Sequence, residues 1–177
     1  MEEPTGEVPG QPETAPHDEV DRIVAAWRQE RPDLDLEPLT VFSRISRLAR
    51  HLDLARRRAF ARRELETWEF DVLSALRRAG EPYQLSPGAL VQQTLVTSGT
   101  MTNRIDRLAN RGFVERHRSP DDRRGVQVEL TPEGLKRVDA AMADLLAVEA
   151  AILTTLSKED RPHLAALLRT LATQFEE

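Results

Sequence analysis

Ser86-Pro87-Gly88-Ala89-Leu90-Val91-Gln92-Gln93-Thr94 is followed, after Leu95-Val96, by Thr97-Ser98-Gly99-Thr100-Met101-Thr102-Asn103-Arg104-Ile105-Asp106-Arg107-Leu108-Ala109-Asn110-Arg111-Gly112. The first run predicts a short helix, and the second predicts a helix over 97–111 broken by Gly112. Downstream come an extended run (113–118), a tight polar loop (119–125), a second extended run (126–130) and a fresh helix start at Thr131-Pro132-Glu133-Gly134. Helix, turn, helix and a two-stranded ribbon with a charged tip is the order of a winged helix-turn-helix in a mainly α chain. Such a unit places one helix in a DNA major groove with a basic loop beside it.

Within the second helix, Met101, Ile105 and Leu108 recur at spacings of four and three and form its inward stripe. Ser98, Gly99, Thr100, Asn103, Asp106, Arg107 and Asn110 lie around the helix from it. They are small or hydrogen-bonding groups of the kind that read base edges, Arg suiting guanine and Asn suiting adenine. An ordinary solvated helix face has the same composition. The loop favours DNA: from Arg104 to Arg124 there are seven arginines against four acids, Asp106, Glu115, Asp121 and Asp122. Arg123 and Arg124 at the hairpin tip can enter a narrow minor groove, with a neighbouring Asp orienting one guanidinium.

Four motifs in order, Asn103-Arg104-Ile105-Asp106-Arg107-Leu108, Arg111-Gly112-Phe113-Val114-Glu115-Arg116, Asp121-Asp122-Arg123-Arg124 and Leu130-Thr131-Pro132-Glu133-Gly134, resemble the MarR family of bacterial transcription regulators. The resemblance extends over residues 37–176. It implies a homodimer that binds double-stranded DNA at a palindromic operator and answers to a small effector.

The rest of the chain is compatible with that. Its 177 residues suffice for one domain with extensions. A net charge of −5 confines any DNA contact to a local basic surface. Without cysteine there is no disulfide, thiol switch or cysteine metal site, and His17, His51, His117 and His163 show no paired ligand spacing. No metal or cofactor is therefore expected. The sequence has no run long enough to span a membrane and no signal peptide, so a cytoplasmic location is expected.

Residues 1–17 hold four glutamates and four prolines but no lysine or arginine, and are expected to be a disordered tail. A helix is predicted over 18–31, with Val20, Ile23, Val24 and Trp27 on one stripe and Pro32 ending it. Longer helices are predicted over 37–63 and 132–156, shorter ones over 67–79 and after Ser157. The terminal helices carry more apolar positions than one small core needs, among them Leu145, Leu146, Leu153, Leu164, Leu167, Leu168 and Phe175. Residues 18–63 and 132–177 are accordingly expected to form a dimerisation layer around a DNA-binding lobe over 64–131. A two-fold dimer presents two reading helices about one DNA turn apart.

A closer resemblance is to a urate-responsive subgroup of the MarR family, marked by an extra N-terminal helix that carries a Trp. The other markers are an Asp before the reading head, an Arg on the recognition helix and an Arg at the start of the wing. Trp27, Asp71, Arg104 and Arg116 stand at those four places. The resemblance implies that Trp27 and Arg104 hold an anion whose charge repels Asp71, loosening an Asp71 link to Arg116 or Arg104. Urate or a related purine fits the markers, and a small di- or tricarboxylate fits the same charges. A structural ion-pair network with a packed Trp27 is the alternative use of these residues. A helical dimeric interaction module is the alternative to a DNA-binding regulator. No phosphate loop, metal cluster or nucleophile motif points to an enzyme.

Overall fold

The computed structural model describes residues 17–118 and 125–175. Most of the expected 1–17 tail and the Arg123 and Arg124 tip of the wing therefore lie outside the described residues. The chain forms two compact units, Met1–Arg50 and His51–Glu177.

In the first unit, α1 (Glu19–Glu30) starts at a capping box. The Asp18 carboxylate accepts from the Asp21 amide at 3.0 Å, and the Asp21 carboxylate accepts from the Asp18 amide at 2.8 Å. Each satisfies a backbone donor that the helix itself leaves unpaired. Arg44, on the first part of α2 (Glu37–Ala61), reaches both carboxylates at 2.8 and 2.7 Å. Val20 and Val24 are buried, but Trp27 is 49% exposed and is not the packing anchor its stripe suggests.

The second unit continues with α3 (Thr67–Arg78), β1 (Gln84–Leu85), α4 (Pro87–Thr94), α5 (Ser98–Asn110), β2 (Val114–Arg118), β3 (Val126–Leu130), α6 (Pro132–Leu153) and α7 (Asp160–Ala172). Every predicted helix is present to within a few residues. The ribbon gains a third strand, so the sheet is antiparallel in the order β1-β3-β2. Val114 faces Leu130 and Arg118 faces Val126 at the two ends of the β2–β3 ladder. This register puts Val114, Val128 and Leu130 into the core while the rest of β2 meets water.

Phe60 and Phe70 stack at the centre of that core, with ring centroids 4.1 Å apart. Leu73, Leu76, Leu90, Met101, Ile105, Leu108 and Val138 surround them. Each such side chain, fully buried, contributes about 1.5–3 kcal/mol.

The join between α5 and the wing is tightly specified. Gly112 has φ +72°, and its amide donates to the Ala109 carbonyl at 2.9 Å while Phe113 donates to Leu108 at 3.0 Å. This is a Schellman closure, in which the left-handed residue costs least as glycine. The Thr131 hydroxyl then donates to the Gly112 carbonyl (2.7 Å) and accepts from the Gly134 amide (3.0 Å), capping α6. A Cβ on Gly134 would stand 2.0 Å from the Phe113 carbonyl oxygen and 2.9 Å from its carbon. The Thr-Pro-Glu-Gly run is thus a helix start that must lie directly on the first turn of the wing.

By contrast, α7 has no buried residue. Leu164, Leu167 and Leu168 on α7, Leu146 and Leu153 on α6 and Phe175 beyond them are all exposed large apolar side chains. Among the described residues no helix is long and apolar enough to cross a membrane. Gly134→Ala forces backbone against backbone and is expected to destabilise the chain by about 3 kcal/mol or more, read as a shift of the urea midpoint. Wild-type stability in this variant would show that α6 can move off Phe113 at no cost.

Candidate functional site

Thr97 starts α5 by accepting from the Thr100 amide at 3.3 Å, and the two hydroxyls meet at 2.9 Å. Met101, Ile105 and Leu108 are buried, which turns Ser98, Thr100, Asn103, Arg107 and Asn110 outward, all of them exposed. The helix therefore presents a row of hydrogen-bonding side chains held by a rigid apolar seat.

Arg107 is not idle in that row. It donates to Glu66 at 2.9 Å, and its guanidinium lies 4.7 Å from the centroid of the Trp68 ring. The indole Nε1 donates to the other Glu66 oxygen at 2.7 Å. That hydrogen bond first, and Arg107 second, hold the Glu66 carboxyl below its usual range. Both members of the ion pair are more than half exposed. Such pairs are worth about 0–1 kcal/mol, so Arg107 can leave Glu66 for another partner at little cost.

Arg116, at the start of the wing, pairs with Asp106 at 2.7 Å and donates to the Thr102 carbonyl at 3.4 Å. The expected link from Asp71 to Arg116 is not formed; Arg116 ties β2 to the reading helix instead. At the other end of α5, Arg111 donates to the buried Glu69 carboxylate at 2.5 Å and to the Glu64 carbonyl at 2.6 Å. This clamp was not anticipated. Its one sequence signal is that Glu69 stands three residues after the N-cap Glu66, whose amide it accepts from at 2.9 Å.

Behind Trp68 lies a recess of about 510 Å³, lined by Arg57, Leu65, Glu66, Trp68, Asp71 and Arg104. Asp71 and Arg104 thus line one recess, but the expected link between them is not formed. Asp71 is partly buried and, among the described residues, forms no ion pair within 4 Å. Burial raises its carboxyl above the usual range, and the charges of Arg56, Arg104 and Arg78 oppose that shift without cancelling it. Arg104, half-buried on α5, stands 5.4 Å from the Trp68 ring centroid. The indole it meets is that of Trp68, on the first turn of α3. Trp27 belongs to the first unit, where it lines an apolar recess of about 480 Å³ with Leu34, Leu39 and Phe42.

The sequence model of the MarR family matches residues 64–125. Over 150 residues the chain is 40% identical to the HTH-type transcriptional regulator PecS of Dickeya dadantii, covering 85% of this chain and 90% of that one. It is 28% identical over 139 residues to the HTH-type transcriptional repressor YetL of Bacillus subtilis, covering 78% and 83%. Among solved structures, a mutant MarR of E. coli in complex with operator DNA superposes with a TM-score of 0.65 at 25% identity, covering 78% of this chain and 98% of that one.

Asp71 supplies a test of what the recess is for. Between the ordinary carboxylate pKa and its raised folded value, the folded chain keeps a proton that the unfolded chain has released. Stability contributed by this group is therefore present at low pH and is lost as pH rises through that window. Asp71→Asn is expected to raise the urea midpoint at pH 7 and to flatten that loss. A lowered midpoint would mean that Asp71 is held by a structural ion-pair network.

Proposed function

The chain belongs to the MarR family of DNA-binding transcriptional regulators, and from that premise we propose a homodimeric repressor, released from a palindromic operator by a small anionic effector. Ser98, Thr100, Asn103, Arg107 and Asn110 read the major groove, and Arg123 and Arg124 of the wing contact the adjoining minor groove. The exposed polar row on α5 supports the first assignment. The arginine-rich loop supports the second. Such a protein acts where its operator lies, in the cytoplasm.

Residues 18–63 and 132–177 are the dimerisation helices, and residues 64–131 the reading lobe. Support comes from α7, an amphipathic helix with an apolar row and nothing buried in the single chain. Exposed apolar surface on this scale marks an interface.

One observation carries the sensor: Asp71, partly buried and without an ion pair among the described residues, shares a recess with Arg104 of α5. An anion held by Arg104 meets the Asp71 charge across the same small volume. The repulsion is relieved when α5 shifts, taking Asn103 and Arg107 with it. Arg116 passes that shift to the wing through Asp106 and Thr102. The resemblance to urate-responsive regulators adds Trp27 as a ligand-holding residue and urate or a related purine as the effector, with a di- or tricarboxylate fitting the same charges. By linkage, operator DNA weakens effector binding by the factor with which the effector weakens DNA binding.

A gel shift on the DNA upstream of the chain's own gene, with and without millimolar urate and citrate, tests this reading. One of the two anions is expected to release the operator. Arg104→Ala should abolish that release while the operator is still bound. Asn103→Ala and Arg107→Ala should relax base preference by about 1–3 kcal/mol, whereas Arg123→Ala and Arg124→Ala should weaken binding to every sequence. Absence of operator binding at moderate salt would overturn the DNA assignment, and binding that no anion relieves would overturn the sensor. For assembly, sedimentation should give a dimer at micromolar concentration. Leu164→Glu with Leu168→Glu should yield monomer or unfolded chain, and an unchanged dimer would place the interface elsewhere.

A further inference from the structure

Two walls of the Asp71–Arg104 recess take no part in the release mechanism: the indole of Trp68 on α3 and the guanidinium of Arg57 on α2. Trp68 precedes Asp71 by three residues, so both side chains leave the same side of α3. The polar edge of the indole is already satisfied, because Nε1 donates to Glu66 at 2.7 Å. What the ring still offers a ligand is its π face. That face already draws cations, with Arg104 at 5.4 Å and Arg107 at 4.7 Å from the centroid.

The α2 wall is electropositive. Among the described residues Arg57 is paired only with Asp53, one turn earlier, at 2.9 Å, and both are substantially exposed. A pair of that kind is worth about 0–1 kcal/mol and yields readily to a better partner. Beside it, Arg56 has a buried Nε with no hydrogen-bond partner among the described residues. Its charge is also the largest one acting on Asp71. Cations thus stand on two sides of the recess, Arg104 on α5 and Arg57 on α2, with an aromatic face between the acids Glu66 and Asp71.

We infer that Trp68 and Arg57 are effector-binding residues, the indole offering its ring face and Arg57 meeting the edge of the ligand turned away from Arg104. The inference rests on the sensor reading above and adds two residues to its site. A flat anion stacks on the indole while one edge meets Arg104 and the other meets Arg57. An aliphatic di- or tricarboxylate satisfies the two arginines but has no flat face to lay on Trp68, so it forfeits the stacking contribution.

The test is calorimetric titration of the full-length protein with urate and with citrate, alongside the far-UV circular dichroism spectrum as a check on folding. Wild type is expected to bind urate more tightly than citrate. Trp68→Leu and Arg57→Gln should each weaken urate by about tenfold, the range of a stacking or cation contact, with the helical spectrum retained. Trp68 packs partly against the core, so Trp68→Phe serves where the leucine variant fails to fold, with an intermediate loss of urate affinity. Citrate affinity should fall in Arg57→Gln alone. Wild-type urate affinity in both the Trp68 and the Arg57 variants overturns the inference, as does citrate binding as tight as urate in wild type. If wild type binds neither anion, the sensor reading fails first and this inference with it, a result distinct from unchanged affinity in the variants.

Discussion

The burial of Met101, Ile105 and Leu108 in one core with Leu73, Leu76 and Leu90 is the constraint from which the rest of the reading lobe follows. A helix seated on that stripe has no rotational freedom, so Asn103 and Arg107 must face outward and Arg104 must lie at the edge of the seat. Both ends of α5 are then closed. Thr97 caps its start, and the left-handed Gly112 with the Thr131 hydroxyl closes its end. The Arg111–Glu69 pair adds a charge clamp between the end of α5 and the first turn of α3. The outward contacts, such as Arg107 with Glu66, are by comparison exposed and weak. A rigid seat under loosely held side chains suits recognition, since little must be broken for the side chains to change partners.

Asp71 departs from that pattern. A carboxylate that is partly buried with no ion pair among the described residues costs stability, and three arginines near it do not cancel the cost. Such a group persists where its charge is used. It stands on α3, part of the fixed core, while Arg104 stands on α5, the helix proposed to read DNA. Under the proposed function, a ligand placed between them would act on α5 directly, so the coupling would span one recess and one helix. That short path is consistent with a sensor that needs no large rearrangement of the fold.

The apolar side chains left uncovered on α7 and on the second half of α6 have the same kind of significance. Leu164, Leu167 and Leu168 follow helical spacing and meet no core of their own chain. In the proposed dimer, their burial by a second copy would supply the free energy that the isolated helix lacks, and would set the separation of two reading heads on a two-fold axis.

Most of the fold was legible in the sequence because helix and strand periods are local. The stripe of α5, the glycine that ends it, the Thr131-Pro132 start of α6 and the pairing of two strands across a short loop all follow from residues a few positions apart. So did the outward row from Ser98 to Asn110 and the position of Arg104 beside Asp71. The partners were not legible. Arg116 lies with Asp106 and not with Asp71, Trp68 faces two arginines and not the core alone, and Glu69 is buried against Arg111 at a separation of 42 residues. The two-residue β1 exists only because β3 offers it a ladder, since two residues carry no period to read. Sequence by itself determined which elements form and which faces they bury, because those depend on near neighbours along the chain. Tertiary structure alone decided which charge meets which, because an ion pair is set by distance in space, and distance in space is fixed only once the core has closed.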